Sequence, residues 1–242
     1  MLQDERSKIM TTQKHQTEYV VRCLFERFGD CSYIGHLDLM HVFDRAVRRA
    51  DMPMLYSQGY NPRPMIVFAL PLGVGIHTAG DYVDISLAQE VDAGKFMSEV
   101  NPQLPSGVKI LKAINIPEPK NSLMSVVTAA KYRIEAPDIK KFGEKLFDFD
   151  ELLTTKKSKG KTVETDIRPL LLSKLQCPSD DPNVFEFYCC AGSTKNLRPD
   201  ILLNALSSAT GYDEALANDA KVVRTALYGG EYPKLLDIMT LL

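Results

Sequence analysis

Between Glu18 and Ile116 the apolar residues switch between strand and helix periodicity in a fixed order: strand, helix, strand, strand, helix, strand. Few folds accept that order. The first strand, Glu18–Phe28, sets Val20, Arg22, Leu24 and Glu26 against Val21, Cys23, Phe25 and Arg27, and its β-branched and aromatic residues favour an extended backbone. A helix follows from about Leu37 to Ala50, where Leu39, Val42, Phe43, Ala46, Val47 and Ala50 recur at spacings of three and four. Pro53 ends it. The segment Tyr56–Pro64 is turn chemistry: Gly59 permits positive φ, and the prolines at 62 and 64 hold the residues before them extended. Strands are predicted over Met65–Leu72, Asp81–Leu87 and Val108–Ile116, with a short helix over Val91–Val100.

The second half repeats the pattern. It is predicted as a strand (Met124–Ala136), a helix (Pro137–Phe147), short strands over Glu151–Thr155 and Thr162–Asp166 around a lysine-rich tip, strands over Leu170–Leu175 and Val184–Cys190, a helix (Pro199–Thr210) and a strand (Val222–Tyr228). A terminal helix is expected over Leu235–Leu242. The predicted class is α+β: two ferredoxin-like βαββαβ units, each an antiparallel sheet backed by helices. The expected plan is a disordered leader (residues 1–16), one unit over 17–117, the other over 123–230, and a tail over 231–242. The linker between the units is PEPKNS (Pro117–Ser122).

Composition narrows the function classes. With 242 residues, 45% hydrophobic and 25% charged, the chain has enough apolar material for a core without a metal or disulfide. A net charge of −2 argues against nucleic-acid binding through overall charge, while leaving room for a local basic face. The cysteines are Cys23, Cys31, Cys177, Cys189 and Cys190, an odd number without metal-site spacing, so they are read as free thiols of a reducing cytosol. No segment has the length and apolarity of a membrane span. A soluble cytoplasmic protein without a cofactor is expected.

Four features could carry chemistry. His41, Arg45, Arg48 and Arg49 share one face of the first helix, with Asp38 also on it and Arg63 in the loop beyond. Guanidiniums so grouped suit phosphates or carboxylates, or form salt bridges along a solvated helix face. His36 stands at the start of that helix, where the helix dipole lowers its pKa, so it is a candidate base or a structural residue. Tyr56, Tyr60 and Asn61 lie in the turn with Arg63, and tyrosines beside arginines can stack bases or pack over the turn. Lys156, Lys157, Lys159 and Lys161 form a basic hairpin tip, either a solubilising loop or a phosphate-contacting finger.

The run His36–Gly75 contains His-Leu-Asp, Arg-Arg-Ala, Tyr-Ser-Gln-Gly-Tyr-Asn-Pro-Arg-Pro and Pro-Leu-Gly-Val-Gly. It resembles the signature of a bacterial radical-SAM-linked family of unknown function. The second half is similar at Lys159-Gly160-Lys161, Asp166-Ile167-Arg168-Pro169 and Leu197-Arg198-Pro199, which adds Arg168 and Arg198 to the candidate binding residues. Gly35 stands where that family usually has Ser, and Tyr60 where Phe is common. The resemblance implies a protein encoded beside, or fused to, a cobalamin-binding radical SAM protein, in a setting that favours RNA-related work. The chain lacks the CxxxCxxC cluster motif, so it would be the accessory partner. A second resemblance is architectural. Paired ferredoxin-like domains with a histidine after the first strand look like the metal-independent RNA-processing endonucleases of CRISPR systems. On that likeness His36 would be the general base, Arg45 or Arg49 would stabilise the phosphorane, and Tyr228-Gly229-Gly230 would stand for the glycine-rich loop. The expected function is therefore a non-catalytic module that binds RNA with a radical SAM partner; a ribonuclease using His36 and a protein-interaction module without an RNA role are the alternatives.

Overall fold

Strand β1 (Tyr19–Arg27) lies between two antiparallel neighbours, β3 (His77–Leu87) and β4 (Val108–Ile116). Its alternation is the predicted one, but both of its faces are buried. On one face Val21, Cys23 and Phe25, with Val83, Ile85 and Leu87 of β3, meet the apolar stripes of two helices, α1 (His36–Arg49) and α2 (Ala93–Val100). Phe25, Phe43 and Phe68 pack edge-on at ring separations of 5.2–5.7 Å. Each such side chain contributes about 1.5–3 kcal/mol when fully buried. The short strand β2 (Ile66–Phe68) pairs with the far half of β3, so the first half has the order β4-β1-β3-β2. The computed structural model describes residues 18–117, 121–158, 161–175 and 180–241.

The second half comprises a helical turn α3 (Leu123–Val126), β5 (Ala129–Glu135), α4 (Ile139–Lys145), the hairpin β6 (Leu153–Ser158)–β7 (Lys161–Asp166), β8 (Leu171–Lys174) and β9 (Val184–Cys190). It continues with α5 (Pro199–Thr210), α6 (Glu214–Asn218), β10 (Lys221–Glu231) and β11 (Lys234–Asp237). Here the order is β10-β5-β9-β8, and β6–β7 stands apart as a separate two-stranded sheet. Ile139, Phe185, Phe187, Leu202 and Leu206 build its core, which reaches into the first half through Ala69 and Tyr82.

Three expectations need correction. The halves do not form two separate antiparallel sheets. The ends of β3 and β10 pair in parallel, Val223 with His77 and Arg224 with Thr78, and fuse everything but the hairpin into one mixed nine-stranded sheet. Gly80 permits this junction: a Cβ there would lie 2.5 Å from the carbonyl oxygen of Thr225. The strand predicted from Met124 begins only at Ala129, because Leu123–Val126 forms a helical turn. The terminal helix is also absent. β10 runs on through Gly229 and Gly230, and β11 pairs back onto it, followed by a short 3-10 turn over Ile238–Thr240. That turn covers the second face of the first-half sheet. Arg22 donates to the carbonyl oxygens of Ile238 and Leu241 at 3.0 and 2.6 Å, and Tyr82 donates to Asp237 at 3.1 Å.

The expected leader, residues 1–16, lies outside the described residues, as do Cys177, Lys159 and Gly160. Cys23, Cys31 and Cys189 are buried free thiols, and no group of metal-ligating side chains occurs among the described residues. No helix among them is long and apolar enough to cross a membrane.

Candidate functional site

The outer face of α1 is where most of the predicted residues fall. Gly35 gives the helix no side-chain cap, while Asp38 in its first turn and Arg48 and Arg49 in its last suit the helix dipole. His41, Arg45, Arg48 and Arg49 are all exposed, but they are not equivalent. Asp44, mostly buried, pairs with Arg48 at 3.0 Å and accepts from the Tyr56 hydroxyl at 3.4 Å. Burial and Asp44 push the Tyr56 phenol above its ordinary range. Arg49 is tied to the carbonyl and side-chain oxygens of Gln103. His41 and Arg45 have no partner among the described residues, and neither do the side chains of Asn61 and Arg63.

The turn after the helix stands on Tyr56. A backbone bridge joins Tyr56 to Pro64, Ser57 N–H donates to the Arg63 carbonyl, and Arg63 N–H donates to Ser57 Oγ. Gly59 supplies the positive φ at the tip, +130°. Tyr60, next to it, is fully exposed. The base of the turn is thus fixed to the middle of α1 through Asp44, while Tyr60, Asn61 and Arg63 project from it.

His36 is half-buried with its ring edge-on to Phe68 at 5.2 Å. Burial, then the nearby Arg27 guanidinium, lowers its pKa. His77 stacks on Phe28 at 5.6 Å, its Nδ1 is buried without a partner, and burial lowers its pKa with help from Lys221. Both imidazoles are therefore harder to protonate in the folded state than a free histidine. Depressed folded values mean that their contribution to stability is complete above about pH 6.5 and is lost as the pH falls through those values. Thermal melts should drop by a few degrees on acidification through that window, and H36F, which keeps the contact with Phe68, should remove part of the drop. An unchanged pH profile in H36F would show that the His36 ring takes no part.

The two second-half arginines differ in kind. Arg168 donates to the carbonyl oxygens of Phe149, Leu171 and Phe147 and lies 5.5 Å from the Phe147 ring. It clamps the chain around β7. Arg198 stays exposed, paired with Asp200 at the start of α5.

Arg198 stands at a feature that no local motif announces. A cavity of about 640 Å³ opens between the halves, with Leu70–Ile76 on one side and the start of α5, α6 and β10 on the other. The Pro-Leu-Gly-Val-Gly run of the first half and the Arg-Pro pair of the second meet across it. Two buried arginines hold the first wall, and one of them, Arg224, also lines the cavity. Arg224, 1% exposed, makes a bidentate pair with Asp81 at 2.7 and 2.6 Å and donates to the Leu70 carbonyl at 2.8 Å. Burial opposes its charge, but Asp81 and Tyr132 more than offset this and raise its pKa. Arg27, 0% exposed, has no carboxylate bonded to it. It donates to the carbonyls of Ile34, Gly73 and Ile76 at 2.8–3.1 Å, and its Nε has no partner. Tyr132, also lining the cavity, is pushed up to about 12 by burial. Arg27, Arg224, Asp81 and Tyr132 escape sequence reading because each looks like an ordinary strand residue. The available signal was an arginine directly after two valines in the last predicted strand, Val222-Val223-Arg224.

The architecture is that of an α+β protein whose two sequence halves share one sheet and enclose a cavity where they meet. The chain belongs to the DUF2344 family, described as an uncharacterized protein conserved in bacteria, whose model matches residues 21–199. No curated protein matches the chain. The family match runs from β1 to the first turn of α5, so β10 and Arg224 lie beyond it.

Proposed function

We propose that the protein is a non-catalytic accessory module that binds single-stranded RNA in the cytoplasm and works beside a radical SAM partner, with each half a ferredoxin-like unit. The strand orders β4-β1-β3-β2 and β10-β5-β9-β8 support the two-unit reading. The partner rests on the resemblance of the His36–Gly75 motifs. The observation that carries RNA binding is the division of labour on α1 and its turn. Arg48 and Arg49 are engaged by the protein, whereas His41, Arg45 and Arg63 are free to meet phosphates, with Tyr60 exposed at the same turn. A cation that has no protein partner loses little by meeting a phosphate, and an exposed phenol ring gives a base a face to stack on.

Fluorescence anisotropy with a labelled single-stranded oligoribonucleotide tests this. Binding should weaken as salt rises, and R45A/R63A should weaken it at least tenfold and flatten the salt dependence. Y60A should cost about 1–3 kcal/mol of affinity, as loss of one stacked base does. Binding indifferent to salt and to these changes would refute RNA recognition by this face. Co-purification with a radical SAM protein encoded nearby tests the partnership.

A further inference from the structure

We infer that the cavity between the halves is a binding site for a nucleoside monophosphate. Its volume of about 640 Å³ falls within the range of small-molecule sites, and it holds a nucleotide with room for water. Leu70, Ile76, Leu203 and Val222 give it apolar walls against which a flat ring can lie. At the mouth stand three exposed amides, Asn196, Asn204 and Asn218. A carboxamide offers one donor and one acceptor side by side, the complement of a nucleobase edge.

Arg224 itself lines the cavity, while Arg27 lies behind the Leu70–Ile76 wall. Arg27 and Arg224 both anchor the Leu70–Ile76 segment, and among the described residues Asp81 is the carboxylate that acts on both. Two buried guanidiniums against one carboxylate leave an excess positive charge in a region of low dielectric, where its field is poorly screened. At the mouth, Arg198 and Asp200 neutralise each other. An anion is therefore drawn toward the Arg224 end of the cavity, and the neutral ring lies against Leu203 and Val222 with its edge at the amides. A nucleoside alone would lack the charge, and inorganic phosphate alone would leave the apolar walls and the amides unused. This site is separate from the α1 face, and its ligand could be a free nucleotide or the phosphorylated end of an RNA strand.

Calorimetric titration of the full chain with AMP, adenosine and inorganic phosphate tests the assignment. AMP should bind with a Kd of about 1 mM or tighter, and adenosine and phosphate at least tenfold more weakly. N204W, an exposed helix position at the mouth, should abolish AMP binding while leaving the melting temperature within a few degrees. N218A, a gentler change, should weaken it severalfold. Competition separates the sources: displacement of AMP by a 5′-phosphorylated oligoribonucleotide but not by its dephosphorylated form identifies an RNA end, and no displacement identifies a free nucleotide. No AMP binding at millimolar concentrations, phosphate or adenosine binding as tightly as AMP, or AMP binding untouched by both variants would each overturn the inference. R45A/R63A serves as the control, since it should weaken RNA on the α1 face and leave AMP unaffected.

Discussion

R224M should destabilise the protein by about 3–5 kcal/mol, the cost of leaving one buried charge without its partner. Arg224 is almost wholly enclosed, and removing its guanidinium leaves Asp81 in an apolar setting with Arg27 as its remaining cation among the described residues. The paired change R224M/D81L removes both charges and should recover most of the loss, because an apolar pair of similar volume often matches a buried ion pair. The part not recovered measures the bonds from Arg224 to the Leu70 carbonyl and to Tyr132, which the double variant also lacks. Urea denaturation reads all three proteins. A single variant within about 1 kcal/mol of the parent would mean that Asp81 takes up its proton or finds water at little cost, and would remove the charge argument for the cavity wall.

G80A should cost about 3 kcal/mol, at the upper end of what one added methyl does in a packed interior. The atom it would meet is a backbone carbonyl, 2.5 Å away on β10, which cannot swing aside as a side-chain terminus can. Relief requires β3 and β10 to separate where the halves join, so the loss of stability should come with weaker AMP binding in the cavity alongside. Denaturation midpoints and the same titrations check both parts. Normal stability in G80A would show that the junction is looser than its register implies.

The elements with strong local patterns were legible in the sequence. Val108–Ile116, Val184–Cys190 and Pro199–Thr210 occupy the predicted ranges, because alternation or helical spacing and a proline at the helix start suffice to define them. The helix carrying the arginine face was legible for the same reason. Which of its arginines are free was not, since Arg49 is held by Gln103, a residue far along the chain. The junction of the halves was illegible on similar grounds. Gly80 reads as the end of a loop before the strand predicted from Asp81 until β10 lies against it, and Gly229-Gly230 reads as a loop until β11 pairs there. Arg22 and Arg224 look like solvent-facing residues of half-exposed strands; only the covering segments make those faces interior. The cavity follows from these long-range pairings, so neither Pro-Leu-Gly-Val-Gly nor Arg-Pro announces it until the fold brings the two runs together.

The Arg224–Asp81 pair spans 143 positions and the Arg22–Ile238 contact spans 216. On the ribosome, the first half therefore emerges with Asp81 and one sheet face waiting for segments that have not yet been made. Until β10 is released, that half carries an open strand edge on β3 and an uncovered apolar surface, the conditions under which nascent chains pair with one another. Synthesis rate and chaperone supply thus bear directly on the yield of this protein, and a ribosome-stalled chain ending before Lys221 should be far more sensitive to protease than one that extends past Leu241.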